Sequence, residues 1–215
     1  ENRLRKTHGG ALSIDQVEPA FTERMAVNIE GKRAIGRVAA GLVPDGASLI
    51  IDSGTTTLCM AEALASHRGL TVYTNDVHVA GRLAGRNNNR VLFLGGELQG
   101  NEGATMGRDA TVMLANYYAD FAFVGASAIS ADPWLMDYSR EAAELRAEML
   151  AQARTPVLLA DHTKFGRTAP VRVANLDRVS QLVIDKRPKA AMARGLTRLK
   201  AEVLLARRDR RAKHR

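Results

Sequence analysis

Hydrophobic residues follow a helical period early in the chain and then occur in short unbroken runs. Over residues 27–43, Ile35 and other apolar residues recur at helical spacing with charged residues between them, which predicts an amphipathic helix. Pro44 and Gly46 end this helix. Residues 47–51 are apolar apart from Ser48 and end in two isoleucines, which indicates a buried β-strand.

The same alternation of helix and strand continues along the chain. Further strands are predicted at residues 70–73, 91–94, 120–124, 156–160, 171–174, 181–184 and 201–205. Further helices are predicted at residues 58–65, 77–84, 108–116, 139–153 and 189–199. Helices and strands that alternate with short connections predict an α/β fold, a mostly parallel sheet with helices on both faces that is Rossmann-like.

Length and charge divide the chain into a body and two tails. The 215 residues suffice for one domain, which we place at residues 27–206 after a linker at residues 1–26. The net charge of +8 lies largely outside this body, since residues 207–215 contain six basic residues and one acidic residue. This basic tail either contacts a phosphate backbone or is a solvated chain end.

Cysteine and histidine usage narrows the function classes. The single cysteine, Cys59, excludes a disulfide framework and favours a cytoplasmic protein. No two of the five histidines have metal-ligand spacing.

A nucleophile elbow and a Walker-type phosphate loop are both missing from the sequence, so hydrolases and nucleoside triphosphatases are excluded. We expect no metal, no cofactor and, because no apolar run approaches a membrane span, no membrane partner.

Residues 52–57, the hydroxyl-rich turn, join the first predicted strand to the next helix. The first N–H groups of a helix have no intrahelical partner, and the helix dipole adds about half a positive charge there. Gly54 allows a ligand to approach the backbone closely. The hydroxyl groups of the turn belong to Ser53, Thr55, Thr56 and Thr57. One such residue would be an ordinary N-cap, but four around one glycine predict a phosphate site.

Polar or glycine-rich residues follow five of the predicted strands. They are Asp52 to Thr57, Thr74-Asn75, Gly95-Gly96-Glu97, Gly125-Ala126-Ser127 and Asp161-His162-Thr163-Lys164. Because parallel strands end at the same edge of a sheet, we expect these loops to border one ligand site. The sequence therefore predicts a site for a small phosphorylated ligand, with Lys164 facing its anionic end.

Six segments, taken in order, resemble the sugar-sensing domain of DeoR-type bacterial transcription regulators. They are His8-Gly9-Gly10-Ala11, Arg24 with residues 32–36, and residues 52–57, 71–75, 94–97 and 160–166. Residues 137–138 and 161–167 are similar to the glycerol-3-phosphate regulon repressor branch of this family. The resemblance covers about residues 4–205.

The resemblance implies an effector-binding domain that takes a phosphorylated sugar or polyol, such as glycerol 3-phosphate, and forms a homo-oligomer. It also implies a winged helix-turn-helix module that binds operator DNA. That module precedes the sensing domain in the family and is absent from the sequence given, so this chain alone is not expected to read an operator.

The strand-end pattern and the resemblance together give the candidate ligand-binding residues. They are Lys32, Asp52, Ser53, Gly54, Thr55, Thr56, Thr57, Thr74, Asn75, Gly95, Gly96, Ser127, Glu141 and Lys164. Asp52 is expected to accept a sugar hydroxyl or to orient the turn, since a carboxylate would repel phosphate. Glu141 matches the family's glutamate after a one-residue shift, and Arg146 replaces the family's lysine. Lys32 either adds a cation or lies on the surface of its helix.

An enzyme of the same fold is the main alternative. The resemblance extends to ribose-5-phosphate isomerase, in which a similar turn holds phosphate and an Asp-x-Ser-Lys segment resembles residues 161–164. Isomerisation needs a carboxylate base and donors for the enediolate. Residues 125–130 lack the acidic pair of those isomerases, so we favour a sensor without catalytic residues. A domain that serves only assembly is a third hypothesis.

Overall fold

The computed structural model describes residues 4–7, 10–13, 18–99, 102–130 and 134–207. The strands are β1 (Leu4–Thr7), β2 (Gly10–Ser13), β3 (Ser48–Ile51), β4 (Thr71–Thr74), β5 (Arg90–Phe93), β6 (Leu98–Gln99), β7 (Ala104–Thr105), β8 (Ala119–Gly125), β9 (Ala128–Ile129), β10 (Leu135–Asp137), β11 (Ala153–Ala160), β12 (Val171–Arg172), β13 (Gln181–Ile184) and β14 (Glu202–Leu205). The α-helices are α1 (Phe21–Ala26), α2 (Ile29–Ala40), α3 (Thr55–Ala63), α4 (Val77–Leu83), α5 (Arg108–Leu114), α6 (Arg140–Ala151) and α7 (Ala190–Leu196).

Seven of these strands form one sheet in the order β14-β13-β11-β8-β3-β4-β5. Every neighbouring pair in it is parallel. The chain runs outward from β3 through β4 to β5 and then returns to β8, on the other side of β3. The carboxyl ends of β3 and β8 therefore lie at the topological switch point, where parallel sheets form a ligand crevice.

Alternate residues of the central strands pack into two separate hydrophobic cores. Leu49 and Ile51 of β3 belong to one core with Met60 of α3, whereas Ile50 belongs to the other with Met149 of α6. Side chains with a period of two face opposite sides of a sheet, so helices cover both faces. The predicted α/β fold with a parallel sheet and helices on both faces is confirmed.

The N-terminal end of α3 is set by close contact with α2. A Cβ atom added at Gly36 of α2 would lie 2.7 Å from the backbone of Cys59 in α3, so the two helix backbones are in direct contact. Cys59 is a free, buried thiol. Glycine at this position allows α3 to lie against the sheet with its first turn at the switch point.

Several elements differ from the sequence-based predictions. Helix α3 begins at Thr55 rather than at residue 58, because Gly54 is its N-cap. The strand predicted at 171–174 is β12, which belongs to a separate antiparallel sheet with β10 and β9. Residues 1–26, expected as a linker, include the hairpin β1–β2 and helix α1. These elements are too short for a hydrophobic period.

Two predicted features lie outside the described residues. Residues 208–215, nearly all of the predicted basic tail, are not among them, and neither are His8 and Gly9 of the first family-like segment. The division at 27–206 remains a prediction. Within the described ranges, none of the helices has the length and apolar character that a membrane crossing requires.

Candidate functional site

A small cleft lies at the switch point between the ends of β3 and β8 and the first turn of α3. It is lined by Glu18, Arg24, Ser53, Gly54, Thr55, Thr56, Thr57, Gly125, Ala126, Ser127, Arg146 and Lys164. The structure thus brings together most of the hydroxyl-rich turn, Ser127 and Lys164, as the sequence predicted. We call this space the switch-point cleft.

The hydroxyl-rich turn is held by short-range bonds around Gly54. Gly54 has φ +136° and caps α3, a conformation that residues with a Cβ rarely adopt. Its N–H donates to Asp76 Oδ2 at 3.2 Å, and the Thr57 hydroxyl donates to the Gly54 carbonyl at 2.9 Å. The N–H groups of residues 55–57 form the first helical turn, where no intrahelical carbonyl is available to them.

Asp52 lies beneath the cleft and orients the turn. Its carboxylate accepts from the N–H of Ser53 at 2.8 Å and from the N–H of Gly125 at 3.0 Å. It also accepts from Arg146 Nε at 2.7 Å. Asp52 therefore ties the end of β3 to β8 and α6. Of the two roles considered for Asp52, the geometry matches orientation of the turn.

Arg146 is a buried cation that pairs with two carboxylates and also lines the cleft. It forms ion pairs with Asp52 and Asp137, and its Nη1 donates to the Ser127 hydroxyl at 3.3 Å. Burial alone would lower the pKa of Arg146, but the charges of Asp52 and Glu18 outweigh it and raise the pKa above its usual value. The guanidinium is therefore always charged.

Lys164 is a second cation that lines the cleft. It ends a short 3₁₀ helix, His162–Lys164, that follows β11. Burial lowers the pKa of Lys164 to about 8, although the nearby Asp161 opposes the fall. Lys164 is consequently charged at neutral pH and loses its proton in mildly alkaline solution.

Arg24 of α1 is a third cation at the cleft. Its Nη1 lies 3.1 Å from Glu18 Oε1, and its Nη2 pairs with Glu102. Its Nε donates to the Pro19 carbonyl at 2.9 Å. Its side chain is only 10% exposed, so α1 is packed onto the domain and completes the cleft.

Lys32 lies below the cleft rather than in it. Its exposure is 1%, and its Nζ donates to the backbone carbonyl of Arg24. Burial lowers the pKa of Lys32, opposed by the charge of Asp161. The surface position considered for Lys32 is therefore wrong, because its side chain is buried and its ammonium group is bonded to the backbone of α1. Its direct role is to support Arg24.

Thr74 and Asn75 are fully buried beside the cleft. The Asn75 side-chain amide donates to the Thr105 carbonyl at 2.8 Å, and the Thr74 hydroxyl accepts from the N–H of Asp76 at 3.1 Å. Asp76 in turn caps α4 through the N–H groups of residues 78 and 79 and accepts from Gly54. Both predicted residues thus brace the loop that supports the turn.

Gly95, Gly96 and Glu141 do not line the switch-point cleft. All three are exposed, and Glu141 lies on α6 more than one turn before Arg146. In residues 141–146, which were compared with the family pattern, Arg146 therefore lies at the cleft and Glu141 lies in solvent. Contact between any of these three residues and a ligand remains a prediction.

Three residues that line the cleft were not predicted from the sequence to face a ligand: Glu18, Arg24 and Arg146. Arg24 belongs to a family-like segment, and Arg146 replaces the family's lysine. The resemblance could therefore have pointed to both residues. No sequence pattern pointed to Glu18, because it lies in a segment without a hydrophobic period. Over the described ranges, no group of three or more His, Cys, Asp or Glu side chains is placed to hold a metal ion.

Fold and site together define an α/β ligand-binding domain with a cationic cleft at the switch point of a parallel sheet. The family of DeoR C-terminal sensor domains matches residues 27–186. The chain belongs to this family, and the predicted resemblance is confirmed. It is a sensor domain of the DeoR type, related to transcriptional repressors.

Curated relatives include the glycerol-3-phosphate regulon repressor of Escherichia coli K12. It is 31% identical over 198 residues, which is 92% of this chain and 79% of the relative. The HTH-type transcriptional repressor CsqR of the same organism is 33% identical over 207 residues, covering 96% of this chain and 79% of the relative. The glycerol-3-phosphate regulon repressor of Haemophilus influenzae is 33% identical over 187 residues, covering 86% of this chain and 73% of the relative.

Two solved structures resemble the chain at low sequence identity. Translation initiation factor eIF-2B from Pyrococcus horikoshii OT3 has a TM-score of 0.50 at 19% identity, over 75% of this chain and 63% of that chain. Ribose 5-phosphate isomerase A from Methanocaldococcus jannaschii has a TM-score of 0.44 at 16% identity, over 62% of this chain and 53% of that chain. The likeness to the initiation factor concerns the fold alone.

Proposed function

We propose that this domain binds a phosphorylated sugar or polyol, with its phosphate over the first turn of α3. One observation carries the proposal: the free end of α3 is faced by the cations of Arg24, Arg146 and Lys164. Backbone N–H groups at a helix N-terminus bind phosphate, and arginine adds strong charge-assisted hydrogen bonds. Glycerol 3-phosphate is the first candidate, because two of the relatives named above are glycerol-3-phosphate regulon repressors.

The proposed consequence of binding is control of a DNA-binding module that lies outside this chain. The repressor relatives are longer than the match, which covers 79% of the Escherichia coli glycerol-3-phosphate regulon repressor. Effector binding shifts such a protein between two states by no more than its difference in affinity for them. A homo-oligomer and a cytoplasmic location belong to the same proposal.

Catalysis is not part of this proposal. A sugar-phosphate isomerase needs a carboxylate that is free to take a proton from the substrate. Two carboxylates lie at the cleft, and both are paired. Asp52 accepts from Arg146 at 2.7 Å and from the N–H of Gly125 at 3.0 Å, and Glu18 pairs with Arg24 at 3.1 Å. Ribose 5-phosphate turnover followed by NMR tests this point, and a measurable conversion would contradict it.

Thermal unfolding in the presence of candidate ligands tests the binding site. A ligand that binds only the folded state raises the melting temperature. We expect glycerol 3-phosphate to raise it and glycerol not to. The double variant Thr55→Val, Thr56→Val should abolish the rise, since it removes two hydroxyl groups from the turn. The matched control, Thr71→Val with Thr155→Val, changes two threonines at the amino ends of β4 and β11 and should retain the rise.

Three results would contradict the proposal. If glycerol raises the melting temperature as much as glycerol 3-phosphate, the phosphate is not recognised. If no sugar or polyol phosphate has an effect, the domain serves assembly alone. An unchanged affinity in the Thr55→Val, Thr56→Val variant would move the site away from the hydroxyl-rich turn.

A further inference from the structure

The switch-point cleft already contains one anion that belongs to the protein, the carboxylate of Glu18. Its Oε1 lies 3.1 Å from Arg24 Nη1 and accepts from the Ser127 hydroxyl at 3.5 Å. The side chain is 26% exposed, so most of it is enclosed by the cleft. Its negative charge also acts on Arg146 and Lys164. Glu18 therefore pairs directly with one of the three cations that line the cleft and acts through its charge on the other two.

The groups around Glu18 are those that a bound phosphate would use. Arg24 and the Ser127 hydroxyl are donors, and a carboxylate satisfies donors of this kind much as phosphate oxygens do. A carboxylate and a phosphate dianion cannot share them at contact distance, because their repulsion in a partly buried site is large. The position of Glu18 is thus incompatible with a phosphate on the same donors.

The geometry points to Glu18 as an internal anion that occupies the effector cleft in the ligand-free domain and is displaced when a phosphate binds. This inference rests on the proposed function and deepens it, since it identifies the group against which the effector competes. It also makes Glu18 a determinant of affinity, because every binding event must release its contacts.

Displacement of the Glu18 side chain would affect the backbone of the residues next to it, which precede α1. Helix α1 stays attached through other contacts: Arg24 pairs with Glu102, and the rings of Phe21 and His78 stack with centroids 5.3 Å apart. Glu18 precedes these anchors in the chain. Its release therefore acts first on residues 18–20, while α1 itself remains in place.

Calorimetric titration with inorganic phosphate tests the inference. The variant Glu18→Gln keeps the shape of the side chain and removes its charge, and we expect it to bind phosphate about tenfold more tightly than the wild type, a change of about 1.4 kcal/mol. Glu144→Gln is the charge-matched control, because Glu144 pairs with the exposed Arg140 outside the cleft. Its affinity should equal that of the wild type.

Glu102→Gln separates displacement from a general charge effect. Glu102 also pairs with Arg24 but does not line the cleft, so its removal should improve phosphate binding less than that of Glu18. A gain as large in Glu102→Gln as in Glu18→Gln would overturn the assignment to Glu18. So would an unchanged or weaker affinity in Glu18→Gln, which would make Glu18 a support for Arg24.

Hydrogen exchange in the wild type provides a measurement that needs no variant of Glu18. Saturating phosphate should speed exchange at the amides of residues 18 and 20, which precede α1, while exchange within α1 stays the same. Slower or unchanged exchange at these two amides would overturn the inference. If wild-type binding is lost in Thr55→Val, Thr56→Val but not improved in Glu18→Gln, only this inference fails. If neither the wild type nor Glu18→Gln binds phosphate, the proposed function fails with it.

Discussion

The guanidinium Nε of Arg146 donates to Asp52 Oδ2 at 2.7 Å, and the two side chains are only 8% and 2% exposed. This ion pair joins α6 to the end of β3 beneath the switch-point cleft. Asp52 also accepts from the N–H of Gly125 at the end of β8. One carboxylate thus holds together the two strands that border the cleft and the helix that supplies its buried cation.

Replacing Arg146 should destabilise the domain strongly. Arg146→Ala leaves the buried carboxylates of Asp52 and Asp137 without their cation, and loss of one partner of a buried pair costs about 3–5 kcal/mol. The free energy of unfolding, measured by urea titration, should fall by that amount. Arg140→Ala is the control, because Arg140 pairs with Glu144 on the exposed surface of α6, and exposed ion pairs contribute little to stability. Similar losses in both variants would show that the buried pair does not stabilise the fold.

Replacing Gly54 should destabilise the hydroxyl-rich turn. Its φ of +136° lies in a region that is strained for residues with a side chain, at a cost of about 1–3 kcal/mol. Gly54→Ala should lower the free energy of unfolding by that amount. Gly81→Ala in α4 is the matched control, since nothing lies within 4 Å of its added Cβ and alanine favours a helix by about 1 kcal/mol. Equal effects of the two substitutions would contradict a special role for the backbone of Gly54.

Binding of glycerol 3-phosphate should weaken as the pH rises from 7 to 9.5. The pKa of Lys164 is about 8, so Lys164 is charged at the lower end of this range and neutral at the upper end. The ligand is mainly a dianion throughout, since the second pKa of a phosphate ester is about 6. Loss of one cation from the cleft should reduce affinity about fivefold to tenfold by calorimetry. The charged groups that act on Lys164 are Asp161, Lys32, Arg24 and Glu18.

Lys164→Met identifies the group responsible for this pH dependence. The variant should bind glycerol 3-phosphate weakly and with equal affinity at pH 7 and 9.5. A slope as steep as that of the wild type would assign the titration to another residue. Binding that strengthens with pH would contradict a phosphate contact by Lys164, since the neutral amine is the weaker partner of an anion.

Much of the fold could be predicted because its signals are local. The apolar run at 47–51 and the period around Ile35 each lie within one element, and each corresponds to an observed strand or helix. Helix α1 was not predicted, since six residues do not complete a recognisable period. The strand at 171–174 was placed in the correct position, but its pairing with β10 depends on a distant segment.

The sequence by itself determined the parallel α/β architecture and the position of the hydroxyl-rich turn, because strand, turn and helix follow one another within a few residues. Only the tertiary structure decided which charges face that turn. Arg146 lies 94 positions from Asp52, and Glu18 lies 109 positions from Ser127, so no local pattern links either pair. It also decided that Lys32 is buried while Glu141 is exposed. Charge pairing acts through space, and the chain brings these groups within its range only once the sheet and both helical layers have formed.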